Sequence, residues 1–144
     1  MITRKVVAVL GLALGFLIML PVARASETDQ ATQLTFSQSV QIPGRVLPAG
    51  TYWFVVSQPD VIQIFNSDQS TLVATLQTIS SEHLEAVDKT EITLADRGPM
   101  QPQAIVRWFY PGRSIGHEFL YSRQFRKEIA QANLRTVAAG TERN

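Results

Sequence analysis

The run Thr51-Tyr52-Trp53-Phe54-Val55-Val56 constrains this chain more than any other segment. Six consecutive β-branched or aromatic residues lose rotamer freedom in a helix and pack well on a pleated surface, so the run commits its neighbourhood to β-structure. Apolar residues fall on both alternating faces, which predicts an interior strand covered on each side. Trp53 and Phe54 point to opposite faces of it.

Strand-like runs recur at intervals of about ten residues, separated by turn signals. A Gln58-Pro59-Asp60 break precedes a strand over 61–65, and the polar cluster Asn66-Ser67-Asp68-Gln69-Ser70 joins it to a strand over 71–79 as a hairpin. Further strands are predicted over 34–42, 90–94, 103–110 and 118–121. The pattern is that of a single antiparallel β-sandwich or barrel-like domain rather than of βαβ units. Only the end differs. Residues 122–138 hold no glycine or proline, open with a capping Ser122, and place Phe125, Ile129 and Ala132 on one stripe. They predict one C-terminal α-helix that shows Arg123, Arg126, Lys127 and Arg135 to water. Gly140 stops it, leaving 139–144 as a frayed tail.

Ahead of the β region, Arg4 and Lys5 precede an apolar run over 6–20, and Ala23-Arg24-Ala25 offers a small-x-small cleavage pattern. This is the layout of a secretory signal peptide over 1–25, cleaved after Ala25. The run is shorter than the roughly 18–20 residues that span a bilayer, and Pro21 ends it, so no transmembrane span is expected after cleavage. The expected location is periplasmic or extracellular. Residues 26–138 then form one domain. The chain has no cysteine, which excludes disulfides, thiolate metal sites, thiol catalysis and a cysteine-linked lipid. Stability must come from packing.

Charge is unevenly placed. Residues 26–96 carry two basic residues against nine acids, a balance of −7, whereas 97–144 carry eight against three, a balance of +5. Either a basic surface faces an anionic partner, or the halves interleave in one sheet and neutralise each other across strands.

The string Ile42-Pro43-Gly44-Arg45-Val46-Leu47-Pro48-Ala49-Gly50-Thr51-Tyr52 is the most distinctive. Its prolines fix φ and its glycines permit backbone that other residues avoid, so it is read as a turn feeding the strand at Thr51. Together with Trp108-Phe109-Tyr110-Pro111-Gly112, it resembles a group of small exported bacterial proteins of the acidobacterial type. The resemblance implies an exported, mainly β domain of the envelope. It implies no reaction, so no catalytic residue is carried over.

Two histidines invite a search for chemistry. His83 lies among Glu82, Glu85, Asp88 and Glu91, where carboxylates and an imidazole could ligate a cation. The segment has no second histidine and no EF-hand spacing, and reads better as a solvated acidic connection. His117 neighbours Glu118 and follows Ser114, the residue types of a base, its partner and a nucleophile. Adjacent strand residues face apart, however, and no nucleophile elbow, zinc helix or phosphate loop is present. No catalytic residue, metal or other cofactor is assigned.

Aromatic rings give a further lead. Trp53, Trp108 and Tyr110, with Arg113 in the following loop, could stack on sugar rings of an envelope polysaccharide, as indole and phenol groups do at half-buried positions. Arg123, Arg126 and Lys127 would suit an anionic surface or another envelope protein, and nothing suggests nucleic acid. The expected function is a non-catalytic exported binding or interaction module. The alternatives are a self-assembling structural component of the envelope and a small hydrolase.

Overall fold

The computed structural model describes residues 31–139, so the expected signal segment and the chain beyond Ala139 lie outside the described residues. In chain order the elements are β1 (Ala31–Phe36), β2 (Val40–Ile42), β3 (Arg45–Leu47), β4 (Gly50–Gln58), β5 (Val61–Asn66), β6 (Leu72–Glu82), β7 (Thr90–Asp96), β8 (Gln103–Phe109), β9 (Ile115–Phe119), α1 (Arg123–Gln131) and β10 (Asn133–Ala139). The strands make one sheet. Its path runs β1-β4-β5-β6-β9-β8 and on through β7 to β10, and the β2–β3 hairpin branches from β8. The chain is mainly β, as expected.

The antiparallel expectation needs one correction. Every pairing is antiparallel except β2 on β8, which is parallel through Val40 with Gln103 and Gln41 with Ala104. The cause is the shortness of β9, which pairs with β8 only at Arg107 and Trp108. The start of β8 would keep a bare edge, and β2 supplies its partners. Pro43 and Gly44 make this hairpin, Gly44 taking the φ of +80° that a proline-led type II turn requires at its second central residue.

The sheet curls. Although β5, β6 and β9 separate β4 from β8 along the path, the Phe54 ring lies 5.8 Å from Trp108 and 6.5 Å from Phe119. The long strand β6 makes the bend, pairing with β5 through its first half and with β9 through its second. Within the curl sit Leu34, Ile42, Leu47, Phe54, Ile62, Ile64, Ile105 and Trp108, all essentially inaccessible. The sheet stays open: among the described residues β1 pairs only with β4, and β10 only with β7.

Several expected boundaries move. The 34–42 strand is broken by Ser37, Gln38 and Ser39 into β1 and β2, and the 118–121 strand is shifted back to Ile115–Phe119. In β4 only Phe54 is fully buried, with Tyr52 and Val56 beside it on the inner face and Trp53 half-exposed on the outer one. The strands buried on both faces are instead β7 and β8. The largest correction concerns the helix, which ends at Gln131; the rest of the expected 122–138 helix is β10, lying along β7. Arg135 therefore belongs to a strand. A bare β7 edge offers a ladder of hydrogen bonds, and Thr136 and Val137 are stiff β-branched residues that favour it.

The part that is helical forms as expected. Ser122 Oγ accepts a hydrogen bond from the Phe125 N–H at 3.3 Å, and Phe125, Ile129 and Ala132 pack half-buried on the core. Phe125 is held between two groups: the Tyr121 ring stacks on it at 4.7 Å, and the Arg97 guanidinium lies 4.4 Å from its centroid. Arg97 is fixed by Nη2 donating to the Pro102 carbonyl at 3.1 Å and by Nη1 reaching Glu128 at 3.4 Å. Burial pushes the Tyr121 phenol well above its ordinary pKa, so it stays protonated and donates to the Ile105 carbonyl at 2.6 Å.

The two neighbouring aromatics on β4 give a test. Phe54→Ala should destabilise the domain by about 3–5 kcal/mol, the usual cost of emptying a filled core position. Trp53→Ala should cost less than half of that, because its ring is only half-buried. Urea denaturation of the two variants measures the difference, and equal losses would contradict the inner and outer assignment of β4.

Candidate functional site

The aromatic lead from the sequence meets the core. Trp108 is wholly buried and Tyr110 nearly so. Their rings lie 5.2 Å apart, and the His117 imidazole stacks against both, at 5.7 Å and 6.0 Å. No face of Trp108 is open to a sugar ring. Its indole N–H is buried without a hydrogen-bond partner among the described residues. Trp53 is half-exposed, and its Nε1 donates to the Ser67 carbonyl at 3.0 Å, which spends its polar edge on a turn. Arg113 is exposed in the loop after β8, where its carbonyl accepts from the Val87 N–H at 3.2 Å. Trp53, Trp108, Tyr110 and Arg113 therefore do not form one exposed platform.

His117, Glu118 and Ser114 are likewise not assembled as a catalytic set. His117 Nδ1 shares a hydrogen bond with Thr78 Oγ1 at 3.0 Å inside the curl, whereas Glu118 lies 3.4 Å from Arg107. Gly116 explains the close fit around them. A Cβ there would run into the Trp108 carbonyl and the Phe109 ring, so only glycine lets β9 approach β8. His83 sits in a loop tied to the Arg113–Ser114 segment by backbone bonds, its N–H donating to the Ser114 carbonyl at 2.7 Å. No group of three or more metal-ligating side chains gathers there or elsewhere among the described residues.

Arg123, Arg126 and Lys127 are all exposed on α1, as the sequence suggested, and none of them takes part in an ion pair among the described residues. The two halves of the chain do interleave in one sheet, β6 beside β9 and β7 between β8 and β10, but no ion pair among the described residues joins them. Arg97–Glu128 and Arg107–Glu118 both lie within the basic half, and His83 Nε2 lies 3.7 Å from Glu91 within the acidic one.

The site that sequence reasoning missed is a groove of about 890 Å³ between the two ends of the sheet. One wall is β1 and the loop after it; the other is β10. Register fixes what faces in. Arg135 stands opposite Leu94, and Val137 opposite Ile92, so these β10 side chains share the inner face of β7. Leu34, Val40, Ile92 and Leu94 form the apolar floor, and Gln33, Thr35, Ser37, Gln38 and Ser39 line the polar side. Arg135 is the only charged residue of the lining among the described residues. The volume lies in the range of about 300–1,000 Å³ typical of ligand pockets. No local motif could have announced it, because its parts come from residues 33–40, 92–94, 103 and 135–138 and meet only through the curl.

No helix among the described residues is long and apolar enough to cross a membrane. Comparison with protein-family models, with curated proteins and with solved structures finds no match to this chain.

His117 carries a pH test. Burial pushes its imidazole below the ordinary value of 6.5, because the charged form loses its hydration. The unfolded chain takes up this proton near pH 6.5 and the folded one only at lower pH. The stability is thus complete above that value and falls as the pH drops from it toward the folded pKa. Denaturation midpoints measured between about pH 7.5 and 5.5 should decline in the parent protein and decline less in His117→Gln. An unchanged slope in that variant would remove His117 as the source.

Proposed function

We propose that residues 26–138 form a non-catalytic, exported binding module of the bacterial envelope, a barrel-like domain left open along one seam, with that seam as its binding site. The export reading rests on the signal-peptide layout of residues 1–25. The binding reading rests on the groove, where two strands that each pair on one side only, among the described residues, flank an apolar floor. Buried aromatics and a buried histidine leave the interior to packing, so the seam is where the domain offers both concavity and unspent hydrogen-bonding groups. Amide shift mapping with peptidoglycan fragments, dodecanoate and an extended peptide tests it. Changes gathered at Gln33, Thr35, Arg135 and Val137 with one of these probes are expected, and their absence with all of them would reject the seam.

A second reading is favoured by the exposed, unpaired cations of α1. Arg123, Arg126 and Lys127 stand beside one another on a helix whose other face is docked, and each cation near an anionic lipid surface contributes on the order of 1 kcal/mol. Such attraction is screened within about 8 Å at physiological salt. Cosedimentation with anionic vesicles should exceed that with neutral ones at low salt, and fall when all three cations are changed to glutamine. Equal recovery with both kinds of vesicle would discard this reading.

A further inference from the structure

We propose that the ligand of the seam is an extended segment of another polypeptide, added as a strand between β1 and β10, with apolar side chains directed inward and a carboxylate placed against Arg135. The inference rests on the seam being the binding site, and it names the chemistry of the occupant. Both walls are strand edges, six residues long in β1 and seven in β10. An edge presents a row of backbone N–H and C=O groups that only another strand pairs in full. An acyl chain would cover these groups without answering them, each at the cost of a hydrogen bond lost to water, and the hydroxyls of a sugar ring do not match the regular spacing of a strand edge. The polar lining consists of glutamine, serine and threonine with a single cation, which suits a peptide rather than a polyanion.

The side-chain pattern follows from the register. Since Val137 and Arg135 share the inner face with Ile92 and Leu94, an inserted strand meets apolar floor at its alternate, inward positions. One of those positions falls near Arg135, whose guanidinium takes part in no ion pair or hydrogen bond among the described residues. A carboxylate there gains a geometrically matched partner. A partner of this kind carries a short β-prone run with one acidic residue among its inward side chains.

The test uses residues 26–144 and a short synthetic peptide that alternates valine with threonine and has one central glutamate. Expected results are slowed hydrogen exchange at β1 and β10 amides on adding the peptide, loss of binding when alternate peptide nitrogens are methylated, and a weakening of about thirtyfold or more in Arg135→Gln, which leaves the peptide carboxylate in the closed seam without its partner. Arg135→Lys should restore part of the affinity, and a peptide with glutamine for glutamate should bind Arg135→Gln more tightly than it binds the parent, whose guanidinium it leaves unpaired. Undiminished binding of the methylated peptide would overturn the proposal. So would concentration-dependent dimerisation that protects the same amides, since it would make a second copy the occupant. Groove shifts with dodecanoate but not with the peptide would overturn the strand and leave the seam standing; no groove shift with any probe would overturn both.

Discussion

The contact between Phe54 and Trp108 is the interaction on which the rest of the fold depends. These rings belong to strands that are not neighbours in the sheet, and they meet only because the sheet curls until one lies over the other. Burying two large aromatics is worth several kcal/mol, and no flat arrangement of the same ladders provides it. Everything around the pair serves the curl. β6 bends so that its halves pair with different strands, Gly116 lets β9 come against the Trp108 backbone, and His117 fills the space beside Trp108 and Tyr110 as a flat, neutral ring.

What the sequence disclosed, it disclosed through local chemistry. The Asn66–Ser70 cluster marks a turn because Asn and Asp side chains bond their own backbone, and Asp68 does so, accepting from the Ser70 N–H at 2.9 Å. Ser122 marks a helix start for the same kind of reason. Where the sequence misled, the deciding partner was distant. A run from Ser122 to Ala138 without glycine or proline permits a helix throughout, and only the bare edge of β7 converts its second half into β10. The helical part survives because Phe125 has its own anchor in Arg97 and Tyr121. Arg97, written among the basic residues of the second half, is spent on that anchor and not on a basic surface.

The candidate site was illegible for a related reason. Trp108 and Tyr110 attract attention because aromatics serve both cores and binding faces, and the sequence does not distinguish the two uses. Pairing does: a strand flanked on both edges and covered on both faces, as β8 is, keeps its rings inside. The groove has the opposite character, being made of glutamines, serines and ordinary aliphatics that carry no signature. Its meaning lies in two strand edges left unpaired among the described residues, a property of the sheet as a whole and of no residue in it.

Arg135 gives a physical reason for the open seam. If β1 paired directly with β10, the inner face of β10 would be sealed over Leu34, Ile92 and Leu94, and a guanidinium opposite Leu94 would be trapped among them. Leaving a charge buried without a partner costs about 3–5 kcal/mol, comparable with everything a short edge ladder returns. The balance changes when a closing strand brings a carboxylate. Its backbone then satisfies both edges while its side chain neutralises Arg135, so the substitution that would most favour closure of the isolated domain, Arg135 to an aliphatic residue, is also the one that removes the preference for an acidic partner. Specificity and openness share a single side chain.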